Sequence, residues 1–173
     1  METRSSDEGG VAIRTLEPGD IEWAIERHGA IYAEEFGWNS EFEDLVAEIL
    51  TAYEANHRPG REQAWIATVD GARAGCVFCC QLDAETAQLR TLVVEPWARG
   101  LGLGRTLVST CVDFARTAGY ADVVLWTNHV LVAARRIYEA AGFTLEESEP
   151  HRSFGADLVG QTWRLSLGEP TSR

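Results

Sequence analysis

The stretch EPWARGLGLGR, residues 95–105, decides the fold because it places three glycines between an apolar run and a helical pattern. The glycines stand at alternate positions from Gly100 to Gly104 and are flanked by Arg99 and Arg105. Glycine lets the backbone turn sharply and approach a ligand without a Cβ in the way, and a helix N-terminus offers unpaired N–H groups. The stretch therefore predicts a strand–loop–helix unit whose backbone binds an anion.

Residue identity excludes two familiar phosphate-binding loops. A Walker loop needs a lysine next to its last glycine, and all 15 basic residues of this chain are arginines. A dinucleotide-binding fingerprint needs a further glycine three residues after Gly104, where this chain has Leu107. A tight structural turn, with glycine present for its positive φ, remains the alternative to anion binding.

Composition and charge limit the class of protein. The 173 residues suit one domain, and 45% hydrophobic with 24% charged residues is ordinary for a globular protein. The net charge is −12, and residues 1–60 hold 14 acids against 4 arginines, so nucleic acid is not an expected partner. No apolar run is long enough to cross a membrane, and the polar, acidic start favours a cytoplasmic protein without a membrane partner.

The cysteines predict buried thiols and no metal site. Three of the four lie in the apolar run GCVFCCQL, residues 75–82, which is typical of a strand. Adjacent residues of a strand point to opposite faces, so Cys79 and Cys80 cannot bind one metal ion together. We therefore expect these side chains to act as small hydrophobic groups.

Hydrophobic periodicity predicts an α/β fold with the element order β-α-α-β-β-β-α-β-α-β-β. The central β-α-β-α portion implies a parallel strand pair, and the flanking hairpins imply antiparallel edges, so the sheet is mixed. Asp20 and Ser40 are predicted to be the N-caps of the first two helices. The single domain would span residues 11–167, between a disordered tail at 1–10 and a short tail at 168–173.

Two motifs carry a resemblance to a known superfamily. LVVEPWARGLGLGRTLV resembles the acyl-CoA-binding motif of the GNAT N-acetyltransferases, whose pattern R/Q-x-x-G-x-G/A matches Arg99, Gly102 and Gly104. ARRIYEAAGF, residues 134–143, looks like the second hallmark, a helix that carries a tyrosine and is followed by Gly-Phe. The resemblance implies a GNAT-like mixed sheet with helices on both faces, and an acyltransferase that moves an acetyl group from acetyl-CoA to an amine.

Three further stretches narrow the resemblance. HGAIYAEEFGW (28–38), LWTNHVLVAARRIYEAAGF (125–143) and HRSFGADLVGQTW (151–163) look like the acetyltransferase half of proteins that fuse a MarR-type helix-turn-helix domain to a GNAT domain. The DNA-binding half of such fusions has no counterpart in the sequence. We therefore expect an acetyltransferase domain alone.

The resemblance assigns the cofactor site. Residues 92–94 would hold the pantetheine arm through their backbone, and an N–H near Val93 would stabilise the oxyanion of the reaction. The backbone amides of residues 99–105 would hold the pyrophosphate. Asn128 would contact the cofactor, with N-capping of the following helix as the alternative. The predicted cofactor-binding residues are Leu92, Val93, Val94, Arg99, Gly100, Leu101, Gly102, Leu103, Gly104, Arg105 and Asn128.

The catalytic groups follow less directly. Tyr138 matches the position of the family's general acid, which protonates the leaving thiolate, although a core tyrosine is the alternative. Some family members use a strand glutamate as general base, but this chain has Gln88 there, and an amide cannot accept the proton. Glu34, Glu35 and His151 are the candidates to replace it, against the alternative that the two acids merely solvate a helix end.

The acceptor site is expected between the first helix pair and the loop before the last strand. Carboxylates among aromatic rings suit a cationic amine, so Glu34 and Glu35 predict an acceptor of that charge. His28 lies on an apolar helical stripe and is expected in the core. The predicted acceptor-binding residues are Tyr32, Phe36, Trp38, His151 and Phe154.

Two other functions remain open at this point. Gln88 in place of a glutamate also fits a non-catalytic acyl-CoA sensor that acts through a protein partner. A purely structural interaction domain would bind no CoA at all. Turnover of acetyl-CoA with an amine separates the acetyltransferase from both.

Overall fold

A computed structural model describes residues 10–168, and within them the elements follow the predicted order. The predicted tails lie almost entirely outside the described residues, so the domain limits stay a prediction. The strands are β1 (Val11–Thr15), β2 (Gln63–Val69), β3 (Ala72–Gln81), β4 (Thr86–Val94), β5 (Asp122–Asn128), β6 (Thr144–Ser153) and β7 (Ala156–Ser166). The helices are α1 (Asp20–Phe36), α2 (Ser40–Asn56), α3 (Leu103–Thr117) and α4 (Val132–Ala140).

The seven strands form one mixed sheet in the order β1-β2-β3-β4-β5-β7-β6. Only β4 and β5 run parallel, joined by the crossover helix α3, while every other neighbouring pair is antiparallel. The predicted fold class is therefore confirmed. Between residues 10 and 168, no helix has both the length and the apolar character needed to cross a bilayer.

Helices cover both faces of the sheet, and each face has its own core. On one face, which we call the α3 side, Leu107 and Cys111 of α3 pack against the sheet. On the other, the α1 side, helices α1 and α2 bury Ile31 and Leu50. Adjacent strand residues divide between the two cores: Cys79 belongs to the α3 side and its neighbour to the α1 side. All four cysteines are buried free thiols, as the sequence predicted.

Strand β4 leaves its neighbour β5 halfway along its length. The two strands pair only from Thr86 to Gln88, although β4 continues to Val94. A β-bulge against β3 accompanies the divergence, and at it Thr91 adopts a φ of 52°. Leu89 faces the α3 side and Val93 faces the α1 side, although residues four apart in a regular strand lie on the same face. The bulge therefore inverts the alternation of side chains along β4. A gap consequently opens between the carboxyl ends of β4 and β5.

The first two helices begin one residue earlier than expected at their caps. Gly19, with a φ of 90°, is the N-cap of α1, and Asp20 is its first helical residue. Asn39 rather than Ser40 caps α2, because its side chain accepts a hydrogen bond from the Glu41 N–H at 2.9 Å. The helices themselves lie where the sequence placed them.

Asp20 anchors α1 to the sheet instead of capping it. Its fully buried carboxylate accepts hydrogen bonds from Arg14 of β1 at 2.7 Å, from Arg73 of β3 at 2.7 Å and from the Glu17 N–H at 2.6 Å. Burial raises the pKa of Asp20, but the hydrogen bonds from Arg14, Glu17 and Arg73 outweigh burial and lower it below its usual value. The carboxylate is therefore ionised and fully paired.

Asp20→Asn should destabilise the protein by about 3 kcal/mol, because it leaves two arginines beside a buried neutral amide. Urea unfolding at pH 7 measures the change. Asp113→Asn is the matched control, since Asp113 is exposed and pairs only with Arg116 on the surface of α3; its cost should stay below about 1 kcal/mol. Equal small losses in both variants would show that the buried pairs contribute no more than surface ones.

Candidate active site

The three glycines of the opening stretch have two different structural roles. Gly100 and Gly102 adopt φ values of 92° and 77°, in the left-handed region that favours glycine. Gly104 has no such φ, but a Cβ there would lie 2.7 Å from Cδ1 of Ile137. Two glycines therefore turn the loop, and the third lets α3 pack closely against α4.

The loop leaves the N-terminus of α3 without a protein cap. Gly102 is the N-cap and has no side chain to accept a hydrogen bond, and the first turn contains no acidic residue. The first backbone bond of the helix runs from the Thr106 N–H to the Gly102 carbonyl at 3.1 Å. The N–H groups of residues 103–105 thus have no backbone or side-chain acceptor between residues 10 and 168, and together they attract an anion.

A cavity of about 380 Å³ lies against these amides. Nine of the eleven predicted cofactor-binding residues line it, and the exceptions are Leu101, which is exposed, and Asn128, which lies elsewhere. Helix α4 contributes residues 132–134 and Ile137, and its N-cap Leu131 also lines the cavity; the sequence patterns did not single out any of these residues. The complete lining is Tyr32, Glu35, Phe36, Leu92, Val93, Val94, Ala98, Arg99, Gly100, Gly102, Leu103, Gly104, Arg105, Leu131, Val132, Ala133, Ala134 and Ile137.

The register of β4 decides which backbone groups face the gap. The Glu95 N–H donates to the Ala74 carbonyl of β3 at 2.7 Å, and Val93 lies opposite Cys76 of the same strand. Backbone groups alternate in direction along a strand, so those of Val93 also point to β3. The predicted oxyanion donor near Val93 is therefore not Val93 itself. The N–H groups of its neighbours, Leu92 and Val94, point toward the gap.

A second cavity of about 160 Å³ adjoins the first on the α1 side of the sheet. The two cavities share Tyr32, Leu92, Leu131 and Ala134, and they therefore meet at the gap between β4 and β5. The second cavity is largely aromatic and aliphatic. Its lining is His28, Tyr32, Trp38, Phe42, Leu45, Val46, Ile49, Gln88, Leu89, Arg90, Thr91, Leu92, Trp126, Thr127, Asn128, Leu131, Ala134 and Tyr138.

Tyr138 combines both roles that the sequence allowed. Its ring packs in the α3-side core beside Phe143, at a centroid distance of 5.9 Å, and it also lines the second cavity. Burial raises the pKa of Tyr138 far above that of a free tyrosine, so the hydroxyl keeps its proton. Its hydroxyl donates to no group within the described part of the chain, and it remains available to a ligand.

The two acids expected in the acceptor site lie elsewhere. Both carboxylate oxygens of Glu35 accept hydrogen bonds from the guanidinium of Arg99, at 2.8 and 3.0 Å, beside the first cavity. Glu34 is exposed and lines neither cavity. The expectation that these acids supply a general base or hold a cationic acceptor stays a prediction, and these contacts do not favour it: one acid is already paired with a cation, and the other faces solvent.

Asn128 and His151 form a pair beside the second cavity. Asn128 is buried and lines that cavity, not the first, and its Oδ1 lies 2.8 Å from Nε2 of His151. His151 also contacts the Ser153 hydroxyl through Nδ1 at 2.9 Å and lines neither cavity. Since α4 begins at Val132 with Leu131 as its N-cap, Asn128 does not cap that helix. His151 thus positions Asn128.

The predicted aromatic residues divide between the cavities. Tyr32 lines both, Trp38 lines the second and Phe36 lines the first. Phe154 lines neither cavity and instead packs behind Trp38 at a centroid distance of 4.9 Å. Only part of the predicted acceptor wall therefore borders the second cavity.

His28 is buried, as its apolar stripe predicted, yet it also lines the second cavity. Its Nδ1 lies 2.7 Å from the Ala24 carbonyl and must carry the proton, which leaves a lone pair on Nε2 without a partner among residues 10–168. Burial lowers the pKa of His28 to about 4. The carbonyls of Ala24 and Thr91 act in the opposite direction, because they favour the charged ring, but burial has the larger effect. The imidazole is neutral at pH 7. Its helical spacing gave no sign of this second role.

A protein-family model and a solved structure both match this chain. Residues 21–143 match the family model described as "Acetyltransferase (GNAT) family". The structure of YncA from Salmonella typhimurium, solved with its cofactor acetyl-CoA, superimposes with a TM-score of 0.76 at 24% identity, covering 94% of this chain and 96% of that one. At that identity the likeness shows the fold.

Curated relatives match over parts of the chain. An uncharacterized N-acetyltransferase of Schizosaccharomyces pombe is 28% identical over 121 residues, which is 69% of this chain and 74% of that protein. An N-acetylaspartate synthetase of Danio rerio is 35% identical over 80 residues, or 46% of this chain. The match spans only 28% of that synthetase.

His28 should make the protein less stable in acid. The unfolded chain binds a proton at His28 near pH 6.5, whereas the native state binds it only near pH 4, so stability falls as the pH drops between these values. Relative to His28→Leu, the wild type should lose about 3 kcal/mol between pH 7 and pH 4. Urea unfolding across this range measures it. His57→Leu, at an exposed position, should show the same change in the free energy of unfolding with pH as the wild type. If His28→Leu also showed the wild-type change, the lowered pKa of His28 would be contradicted.

Proposed function

The chain belongs to the acetyltransferase (GNAT) family of acyltransferases, and from this premise we propose that it is an N-acetyltransferase that moves an acetyl group from acetyl-CoA to an amine. The observation that carries the proposal is the uncapped N-terminus of α3, whose amides open into the first cavity beside the gap between β4 and β5. The acetyl-CoA in the YncA structure supports the choice of donor.

The first cavity fits acetyl-CoA by the chemistry of its lining. The amides of residues 103–105 suit a pyrophosphate, because they supply donors and the positive end of the helix dipole without needing a basic side chain. The gap-facing backbone groups of Leu92 and Val94 suit the amides of a pantetheine arm, in the manner of an added strand. A thioester that follows this course lies where the two cavities meet, and the acceptor then enters from the second cavity.

Acetyl-CoA supplies the acyl group as a thioester. In the transfer, the nitrogen–carbon bond of the amide forms while the carbon–sulfur bond breaks, the amine gives up one proton, and the thiolate gains one. Leu92 and Val94 offer N–H groups to the negative oxygen that develops at the carbonyl. The Tyr138 hydroxyl, which is protonated in the free protein, donates its proton to the departing sulfur, and the proton that the amine gives up replaces it.

His28 is the residue that best suits the amine's proton. Among the residues that line the second cavity, it supplies a neutral ring nitrogen, Nε2, that has no hydrogen-bond partner within residues 10–168. A weak base is sufficient, because an amine becomes cationic and strongly acidic once it has attacked a carbonyl. Gln88, at the position of the family's strand glutamate, has no such capacity.

A non-catalytic acyl-CoA sensor is the second candidate, and the amide of Gln88 favours it. Such a protein would bind acetyl-CoA without releasing free CoA in the presence of any amine. The narrower likeness to the acetyltransferase half of MarR–GNAT fusions also belongs to this proposal, with the motifs at 28–38, 125–143 and 151–163 as its support.

Gly102→Glu should abolish the binding of acetyl-CoA, because it places a side chain and a negative charge at the predicted pyrophosphate site. Gly119→Glu is a closely matched control: Gly119 lies beyond the other end of α3, has a φ of 94°, and offers open space to a side chain, just as Gly102 does. Both variants should lose similar stability, but only Gly102→Glu should lose the thermal stabilisation by acetyl-CoA.

The wild-type protein should also release free thiol from acetyl-CoA when a panel of amines is added. Retained stabilisation in Gly102→Glu would refute the loop assignment. Stabilisation by acetyl-CoA with no thiol release for any amine would refute the transferase and favour the sensor.

Tyr138→Phe should lower kcat by about 100-fold with little change in the affinity for acetyl-CoA, because the departing sulfur loses its proton donor. Steady-state kinetics and a thermal shift with acetyl-CoA measure the two quantities. Tyr120→Phe is the control, since the buried Tyr120 donates to the Arg61 carbonyl at 2.7 Å and lines neither main cavity. A loss of binding equal to the loss of turnover would instead assign Tyr138 to packing.

A further inference from the structure

The second cavity contains a single full charge. None of its lining residues is an aspartate or a glutamate, and His28 is neutral at pH 7 because of its burial. Arg90 of β4 is the remaining ionisable side chain in the lining that is charged at that pH. A cavity with this lining repels a cationic group and attracts an anionic one.

Arg90 is not engaged by the protein itself. Between residues 10 and 168 its guanidinium donates no hydrogen bond, and no carboxylate lies within the 4 Å of an ion pair. A surface depression between Arg90 and helix α2 does contain Glu62 and Asp83. Those carboxylates already accept backbone N–H groups: Glu62 binds those of Arg58 and Gln81, and Asp83 binds those of residues 85 and 86. A partially buried guanidinium without a partner has binding capacity for a ligand.

Arg90 is also placed at the right distance from the reacting end of the cavity. It precedes Leu92, where the two cavities meet, by two residues, and two residues of a strand span about 7 Å at most. Arg90 and Gln88 line the second cavity, the depression next to α2, and a further depression bordered by Trp126 and Arg164. A small molecule can therefore present its amine at Leu92 and its other end to Arg90.

We infer that the acceptor is a small primary amine that also carries a carboxylate, as an amino acid does, and that Arg90 binds this carboxylate. The inference rests on the proposed acetyl transfer and adds the substrate class to it. Trp38, Phe42 and Ile49 line the same cavity and offer an apolar surface to the acceptor's side chain. The volume of about 160 Å³ restricts the acceptor to a small molecule or the end of a larger one.

The apolar lining also prepares the amine for attack. A charged ammonium group loses hydration in such a cavity, with no carboxylate to compensate, so the neutral, nucleophilic form is favoured. A carboxylate held by Arg90 keeps its charge compensated at the same time. The cavity therefore distinguishes the two charged ends of an amino acid, and only the amine is brought to the thioester.

The test compares L-leucine with L-leucinamide and L-alanine with L-alaninamide, with putrescine as a cationic diamine. Release of free CoA at saturating acetyl-CoA gives kcat/KM for each. The wild type should favour each amino acid over its amide by about tenfold or more, the effect of one charge-assisted hydrogen-bonded pair. The amides are the less basic amines and so more deprotonated at a given pH, which works against the expected preference.

Arg90→Gln should raise KM for the amino acids by about tenfold and leave the amides, and the thermal stabilisation by acetyl-CoA, unchanged. Arg90→Lys should restore part of the preference, and Arg90→Glu should shift it toward putrescine. Arg116→Gln is the control, because Arg116 is an exposed residue of α3 outside both cavities. It should behave as wild type.

Equal kcat/KM for amino acid and amide in the wild type, a preference for putrescine, or equal losses for acid and amide in Arg90→Gln would each overturn the inference and leave acetyl transfer standing. Absence of free CoA with every amine, in protein that acetyl-CoA stabilises, would overturn the proposed function and the inference with it.

Discussion

The divergence of two parallel strands is the constraint on which the rest of the structure depends. Strands β4 and β5 stay paired from Thr86 to Gln88, and then part, although each continues toward its carboxyl end. Had they stayed paired, the sheet would separate the α3 side from the α1 side, and the two cavities would have no common border. The divergence opens a gap through the sheet. At this gap, a thioester bound on one face of the sheet can meet an acceptor that enters from the other face.

A strained residue marks the place where the divergence begins. Thr91 is β-branched, yet it adopts a φ of 52°, and its buried hydroxyl has no partner within the described residues. A conformation of this kind costs about 1–3 kcal/mol and persists only where its surroundings enforce it. The same bulge shifts the register of β4, so the N–H groups of Leu92 and Val94 reach the gap, whereas Arg90, which precedes the bulge, lines the second cavity as Gln88 does. The strained residue therefore lies at the bulge that directs the N–H groups of Leu92 and Val94 into the gap.

The fold was predictable from the sequence because its signals are local, and the site was predictable only where its signals were local too. The glycine loop, the periodicity of α3 and the tyrosine of α4 each lie within one short stretch, and all three lie at the two cavities. The pairing of Glu35 with Arg99 joins residues 64 positions apart, and no pattern in either stretch announces it. The bulge likewise interrupts the alternation along β4, so the sequence could place the oxyanion donor only near Val93 and not at Leu92 or Val94.

The distribution of charge resolves how an acidic chain can suit anionic ligands. Most of the acids of the first sixty residues project from the outer faces of α1 and α2, and Asp20, which is buried, is neutralised by Arg14 and Arg73. The first cavity offers amide dipoles, which act at short range and depend little on net charge. The second offers one half-buried guanidinium in a largely apolar lining, where a charge is screened less than on the open surface. Local arrangement, rather than the total of −12, thus determines what each cavity accepts.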